Sequence, residues 1–118
     1  LDCLEGYLLL SDYLDKGGHE SAWNFGPSDD EFVEVKEVAH LVAEMWNVFP
    51  AWIDQTGEHP HEAGLLSLNS QKARKELGWS EKYNFKESVV RTSNWYQRVS
   101  EGATHEEATM ADIEDFVS

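Results

Sequence analysis

Basic residues are scarce in this chain. Its 118 residues include 9 Lys and Arg against 23 Asp and Glu, and the formal net charge is −14. Because so acidic a chain repels the phosphates of DNA and RNA, general nucleic-acid binding is excluded. The same charge opposes docking on an anionic membrane surface. We therefore expect neither a nucleic-acid partner nor a membrane partner.

Cysteine and long apolar runs are also scarce. Cys3 is the only cysteine, so the chain cannot form an internal disulfide, which fits a reducing compartment. The apolar run at residues 8–10 is far too short for a signal peptide or a membrane span. We therefore expect a soluble, cytoplasmic protein. The sequence begins with Leu1 rather than methionine, as a fragment of a longer protein would.

Apolar residues are nevertheless numerous enough for a packed core. They make up 41% of the chain, with five Trp, five Phe and four Tyr. A chain of this length fits one domain. We predict a single domain over residues 1–118.

The apolar periodicity predicts several helices. The first, over residues 4–14, is apolar around much of its surface and is predicted to be well buried, with Asp2 as its cap and Gly17 at its end. A second helix is predicted to open at the capping box of residues 28–31 and to end before Pro50. Three more helices are predicted: from Asn69 or Ser70 to Leu77, from Asn84 to about Val99, and from Thr104 or Thr109 to the chain end.

Three short segments have the composition of strands. They are residues 22–25, 51–53 and 65–68, rich in apolar side chains and bounded by turn residues. The sequence therefore predicts an α+β fold, mostly α-helical with two or three short strands.

The usual catalytic patterns are missing. The sequence has no glycine-rich loop for a dinucleotide or a nucleoside triphosphate, and no nucleophile elbow around a serine. No tyrosine is followed by a lysine four residues later, so the Tyr-x-x-x-Lys pair is absent too. We therefore assign no catalytic, cofactor-binding or metal-binding residue, and no cofactor, to this chain.

Residues 58–62, with the sequence EHPHE, concentrate side chains that bind ligands. A metal site at His59 and His61 would need a third ligand, for which no good candidate is present. A polar loop that satisfies its own backbone is a second interpretation. In the third, the imidazoles donate hydrogen bonds to the phosphate or ribose oxygens of a ligand. The predicted substrate-binding residues are His59, His61 and Glu62.

Several motifs in order resemble one enzyme family. LDCLEGYLLL (residues 1–10) and WNFGP (23–27) are similar to a helix and a following turn in the nucleotide-sugar enzymes of the extended short-chain dehydrogenase/reductase family. EHPHEA (58–63) and KARKELGW (72–79) resemble that family's carboxy-terminal pattern. HPHEA in place of the more usual RPGD, together with the tail at residues 109–114, looks most like the branch of CDP-glucose 4,6-dehydratases.

The resemblance implies a carboxy-terminal, substrate-binding lobe without its Rossmann domain. In full-length relatives that domain binds NAD and carries the Tyr-x-x-x-Lys pair, so the parent activity is that of an NAD-dependent lyase. His59 takes the place of the family's phosphate-binding arginine, and Glu62 that of an acidic residue near the ribose. We expect weak binding of a CDP-hexose and no catalysis by this chain alone. The alternative is a stand-alone helical interaction module that dimerises through exposed apolar surface.

Overall fold

A computed structural model describes residues 1–27, 33–53 and 68–118. These residues form five helices: α1 (Asp2–Asp15), α2 (Val35–Trp46), α3 (Gln71–Leu77), α4 (Phe85–Ser100) and α5 (His105–Val117). The described ranges contain no β-strand. Within the same ranges, no helix is both long and apolar enough to cross a bilayer.

The predicted α+β fold is therefore wrong. Residues 22–25 and 51–53 are neither helix nor strand, while the prediction for 65–68 lies outside the described residues except for Leu68, which is not in a strand. Along 22–25, carbonyl oxygens accept hydrogen bonds from side chains: that of Ala22 from Lys72 Nζ at 3.3 Å, and that of Phe25 from Cys3 Sγ at 3.7 Å. The apolar residues of this segment signal packing against helices, and not pairing with another strand.

The described residues form two compact units. The first contains residues 1–27 and 68–84, with α1 and α3. The second contains residues 33–53 and 85–118, with α2, α4 and α5. The single domain expected over residues 1–118 stays a prediction.

Aromatic rings make the core of the first unit. Phe25 meets Tyr7 and Trp79 edge to face, with ring centroids 5.4 and 5.3 Å apart. Trp79 is 2% exposed, and its Nε1 donates a hydrogen bond to the carbonyl oxygen of Asp2 at 2.9 Å. Gly6 of α1 lies against Phe25 so closely that an added Cβ would be 2.4 Å from the ring. The lack of a side chain at Gly6 is what lets α1 approach this core.

Helix α1 is less buried than its sequence predicts. Leu4, Tyr7 and Leu8 are 57%, 57% and 73% exposed, so the predicted burial is wrong for this side of the helix. Apolar side chains around much of the helix indicate that both sides favour contact, but the first unit covers only one.

A long-range hydrogen bond lies at the start of α1, and local hydrogen bonds close its end. The sequence predicts that Asp2 caps the helix, and this is wrong. Asp2 lies inside the helix, and its Oδ1 accepts a hydrogen bond from the backbone N–H of Lys82 at 2.5 Å. The predicted end is confirmed: Gly17 has φ +87°. The N–H groups of Gly17 and Gly18 donate to the carbonyls of Leu14 and Tyr13, which is the Schellman arrangement that a residue with positive φ permits.

Helix α4 packs against α2 and α5 in the second unit. Gln97 Nε2 donates to the carbonyl oxygen of Met45 at 2.8 Å. Two ion pairs join α4 to α5: Arg91 with Asp115 and Arg98 with Asp112.

Residues 28–31, where α2 is predicted to open, lie outside the described residues; the helix itself begins at Val35. Its end before Pro50 is confirmed, at Asn47 with φ +51°.

Helix α5 begins with a capping box, as one of the two predicted starts requires. Thr104 Oγ1 accepts from the N–H of Glu107 at 3.1 Å, and Glu107 Oε2 accepts from the N–H of Thr104 at 2.8 Å and from its hydroxyl at 2.9 Å. The two bonds that the Glu107 carboxylate accepts hold its pKa below the usual range, and the bond from the Thr104 backbone N–H has the larger effect. The alternative start at Thr109 is wrong, because Thr109 lies inside the helix and accepts from Trp95 Nε1 at 3.1 Å.

Candidate functional site

The three residues that the sequence predicts to bind substrate lie outside the described residues. His59, His61 and Glu62 all fall within residues 54–67. Residues 68–70, on the carboxy-terminal side of this segment, are described and directly precede α3. The described part of the candidate site is therefore this carboxy-terminal flank.

Hydrogen bonds join this flank to the WNFGP motif. We call the five residues that form them the turn clamp: Asn24, Gly26, Asn69, Ser70 and Arg74. Asn24 Nδ2 donates to the carbonyl oxygen of Asn69 at 3.3 Å. The carbonyl oxygen of Gly26 accepts from Ser70 Oγ at 3.1 Å and from an Arg74 guanidinium nitrogen at 3.3 Å. The turn clamp thus joins two backbone segments that are 45 residues apart in sequence.

Close packing accompanies these hydrogen bonds. Ser70 is 2% exposed, so its hydroxyl bonds to Gly26 away from bulk water. A Cβ added at Gly26 would be 3.2 Å from Leu68 Cβ, which is tighter than most side-chain contacts. A side chain at Gly26 would therefore require Leu68 to shift by a few tenths of an ångström.

Asn69 and Ser70 share the task of starting α3. Ser70 occupies the cap position, but its hydroxyl is directed to Gly26 and not to the helix. Asn69 Oδ1 instead accepts from the N–H of Gln71 at 3.0 Å. The sequence predicts a cap at Asn69 or Ser70: Ser70 occupies the cap position without a capping side-chain bond, and Asn69 accepts from the N–H of Gln71. Gly78 ends the helix with φ +68°, as predicted.

The positive charges of α3 hold the same region together. Arg74 pairs with Glu81 at 2.5 Å and lies 5.2 Å from the centre of the Trp79 ring. Lys72 Nζ lies 3.9 Å above the Trp23 ring and bonds to Ser21 Oγ at 2.5 Å. Both cations therefore contact residues 21–26: Lys72 at Ser21 and the Trp23 ring, and Arg74 at the carbonyl oxygen of Gly26.

The residues that the structure describes contain no candidate metal site. No three His, Cys, Asp or Glu side chains in those ranges are grouped as metal ligands would be.

In the sequence analysis, no role in the site was assigned to Asn24, Ser70 or Arg74. They lie in or beside the motifs that carry the family resemblance, which is the signal that could have pointed to them.

Comparison with curated proteins finds relatives among nucleotide-sugar enzymes. A CDP-glucose 4,6-dehydratase from Salmonella typhimurium (strain LT2) is 28% identical over 120 residues, which cover 100% of this chain and 33% of that protein. A UDP-glucose 4-epimerase from Lacticaseibacillus casei is 30% identical over 86% of this chain and 30% of its own length. A dTDP-D-glucose 4,6-dehydratase from Mus musculus is 27% identical over 82% of this chain and 27% of its own length.

No protein-family model matches the chain, and no solved structure matches it. The chain spans about a third of the length of the curated relatives it matches. The resemblance predicted from the motifs is confirmed, and this chain is a relative of the nucleotide-sugar dehydratases and epimerases of the extended short-chain dehydrogenase/reductase family.

Proposed function

We propose that this chain is the carboxy-terminal, nucleotide-sugar-binding portion of an enzyme like CDP-glucose 4,6-dehydratase, and that it has no catalytic activity alone. The observation that carries this proposal is the match to a CDP-glucose 4,6-dehydratase over the full length of the chain. The HPHEA motif at residues 59–63 supports the same branch. A cytoplasmic location belongs to this proposal.

The residues of this chain do not fit NAD. The sequence has no glycine-rich dinucleotide loop and no Tyr-x-x-x-Lys pair, and these are the groups on which the family's hydride and proton transfers depend. NAD would supply hydride chemistry in the whole enzyme, bound by a Rossmann domain outside these 118 residues. The contribution of this chain is to bind and orient the nucleotide-sugar.

His59, His61 and Glu62 are the proposed contacts with the nucleotide. Pro60 restricts the backbone between the two imidazoles, and each ring can donate to a phosphate or ribose oxygen. Histidine in place of arginine removes a permanent bidentate donor, so binding should depend on pH. Binding should be weak, because the net charge of −14 opposes an anionic ligand and the rest of the cleft lies in another domain.

An NMR titration of the chain with CDP tests these contacts. Amide shifts should cluster at His59, His61 and Glu62, and should grow as the pH falls through about 6.5, where free histidine titrates. His59→Gln should reduce them, while the matched change His19→Gln, outside the proposed site, should not. Shifts elsewhere, or none at millimolar CDP, would overturn the assignment.

The exposed side of α1 favours a second candidate, a helical interaction module. Leu4, Tyr7 and Leu8 are large apolar residues that the first unit leaves exposed, and such a patch is typical of a contact surface. In the whole enzyme this side of α1 would face the NAD-binding domain. In the isolated chain it would form a homodimer.

Sedimentation at increasing concentration tests the homodimer. Leu8→Glu should lower the fraction of dimer, because it places a charge on the exposed apolar side. Val35→Glu adds the same charge at a residue that is 84% exposed on α2 and should leave the dimer intact. A wild-type chain that stays monomeric at high concentration would contradict self-association through α1.

A further inference from the structure

We propose that one side of α5 binds a basic amphipathic helix of a partner protein. That side carries Met110, Ile113 and Val117, which are 49%, 36% and 75% exposed, and we call these three residues the α5 stripe. Large apolar side chains aligned on the outside of a helix are typical of a contact surface. This partner is separate from the proposed nucleotide ligand.

Much of the side of α5 that faces α4 is polar or small. Ala108 is 1% exposed, and Asp112 and Asp115 form ion pairs with two arginines of α4. At about 3.6 residues per turn, the α5 stripe lies on the opposite side of the helix. An amphipathic helix normally turns its apolar side to the core and its charged side to water. Because α5 has the reverse arrangement, its own unit does not bury the stripe.

The spacing of the α5 stripe is that of a contact between two helices. Met110, Ile113 and Val117 follow one another at intervals of three and four residues, which is the spacing of positions a and d in a coiled coil. Glu106 continues the same line toward the start of α5, and Glu114 takes position e, directly beside it. The stripe therefore fits a second helix that lies along α5 for about two turns.

The charge around the α5 stripe favours a basic partner. Residues 99–118 contain six Asp and Glu and no Lys or Arg. The other acidic side chains of α5 form the ion pairs with α4 and the capping box, whereas Glu106 and Glu114 are exposed next to the stripe. Lys or Arg at positions e and g of a partner helix would pair with these two carboxylates.

A second copy of this chain does not offer that charge. Two α5 helices packed through their stripes would bring Glu106 and Glu114 of both copies to the same contact. Like charges at such a contact disfavour pairing. The occupant is therefore a helix of opposite charge rather than another α5.

The test measures the binding of two synthetic peptides by fluorescence anisotropy. Both peptides have roughly three heptads with leucine at positions a and d; one carries lysine at e and g, and the other carries glutamate there. The lysine peptide should bind saturably and shift the amide signals of α5, and the glutamate peptide should not bind. Binding of the lysine peptide should weaken as the salt concentration rises, because the ion pairs are exposed.

Matched substitutions separate the α5 stripe from the general attraction between a cationic peptide and an acidic protein. Met110→Gln and Val117→Thr nearly keep the side-chain shape and should each weaken binding roughly 3- to 10-fold through loss of apolar contact. Val35→Thr, at a residue of α2 that is 84% exposed, should not. Glu114→Lys should weaken binding roughly 2- to 10-fold. Glu44→Lys makes the same change in net charge on the exposed surface of α2 and should leave binding nearly unchanged.

Circular dichroism establishes that each variant is folded. Val117 is the last residue of α5, so Val117→Thr keeps the test decisive even if Met110→Gln disturbs the helix. Absence of saturable binding by the lysine peptide would overturn the proposal, and so would equal affinity for the two peptides or equal losses in the α2 controls. Sedimentation that shows a dimer abolished by Met110→Gln would also overturn it, because the occupant would then be a second copy.

Discussion

Replacing Gly6 with alanine should destabilise the protein, although alanine is the better helix former. In the interior of an exposed helix, the exchange of glycine for alanine stabilises by about 1 kcal/mol. Here the new Cβ would lie 2.4, 2.5 and 3.0 Å from three atoms of the Phe25 ring. That overlap must be relieved by moving either the ring or α1.

The surroundings of Phe25 make that movement costly. The ring is 9% exposed and meets Tyr7 and Trp79 edge to face, so a shift of the ring would disturb both contacts. Overpacking a core of this kind typically costs about 1–3 kcal/mol. Against a gain of about 1 kcal/mol in helix propensity, we expect a net loss of about 1 kcal/mol, or roughly 4–8 °C in melting temperature for a unit of this size.

Thermal unfolding followed by near-UV circular dichroism measures this loss. A double-mutant cycle with Phe25→Leu supplies the control, because removing the ring should remove most of the penalty at Gly6. Ser11→Ala, on the exposed side of α1, reports helix propensity alone. A Gly6→Ala protein that melts above the wild type would refute the close approach of α1 to Phe25.

Two further predictions concern the start of α5. Thr104→Ala should lower the free energy of unfolding by about 1 kcal/mol through loss of the cap, measured by guanidinium denaturation. Thr104→Ser should retain most of the stabilisation by the cap. Equal stability of the wild type, Thr104→Ala and Thr104→Ser would contradict the capping box. The pKa of Glu107 is lowered by its bonds to Thr104, so its stabilisation is fully present above about pH 4.3, the ordinary glutamate value. It is lost as the pH falls through the lower folded pKa. An NMR titration of the Thr104 amide should show this low midpoint in the wild type, and a midpoint at the ordinary value would contradict it.

Helix ends were predictable because their signals are local. Gly17 and Gly78 each supply a positive φ directly after the last helical turn, and the Thr104–Glu107 pair spans three residues. Where two local signals competed, as at Thr104 and Thr109, the contact of Thr109 with Trp95 settled the choice. That contact joins two helices and cannot be inferred from spacing along one.

Strands and burial were not predictable, because both depend on distant partners. Residues 22–25 carry apolar side chains suited to a strand, yet they bond to side chains about 50 residues away, such as Lys72. Helix α1 is apolar enough to be covered on all sides, but only the side near Gly6 is covered within the first unit. Apolar composition indicates that a surface is suited to contact and does not identify the contacting element.

The candidate site divides in the same way. His59, His61 and Glu62 could be proposed because they are chemically distinctive and adjacent in sequence, and they stay a prediction. The turn clamp could not be proposed, because Asn24 and Ser70 are common polar residues that become informative only when the fold brings them together.

Ligand selectivity of the purified 118-residue chain tests the central claim most directly. Its amide spectrum at pH 6 is recorded with CDP-glucose and, in parallel, with NAD at the same millimolar concentration. The account predicts shifts at His59, His61 and Glu62 with CDP-glucose and no saturable shifts with NAD. An unchanged spectrum with CDP-glucose, or saturable binding of NAD, would contradict the claim that this chain is the nucleotide-sugar-binding portion of such an enzyme.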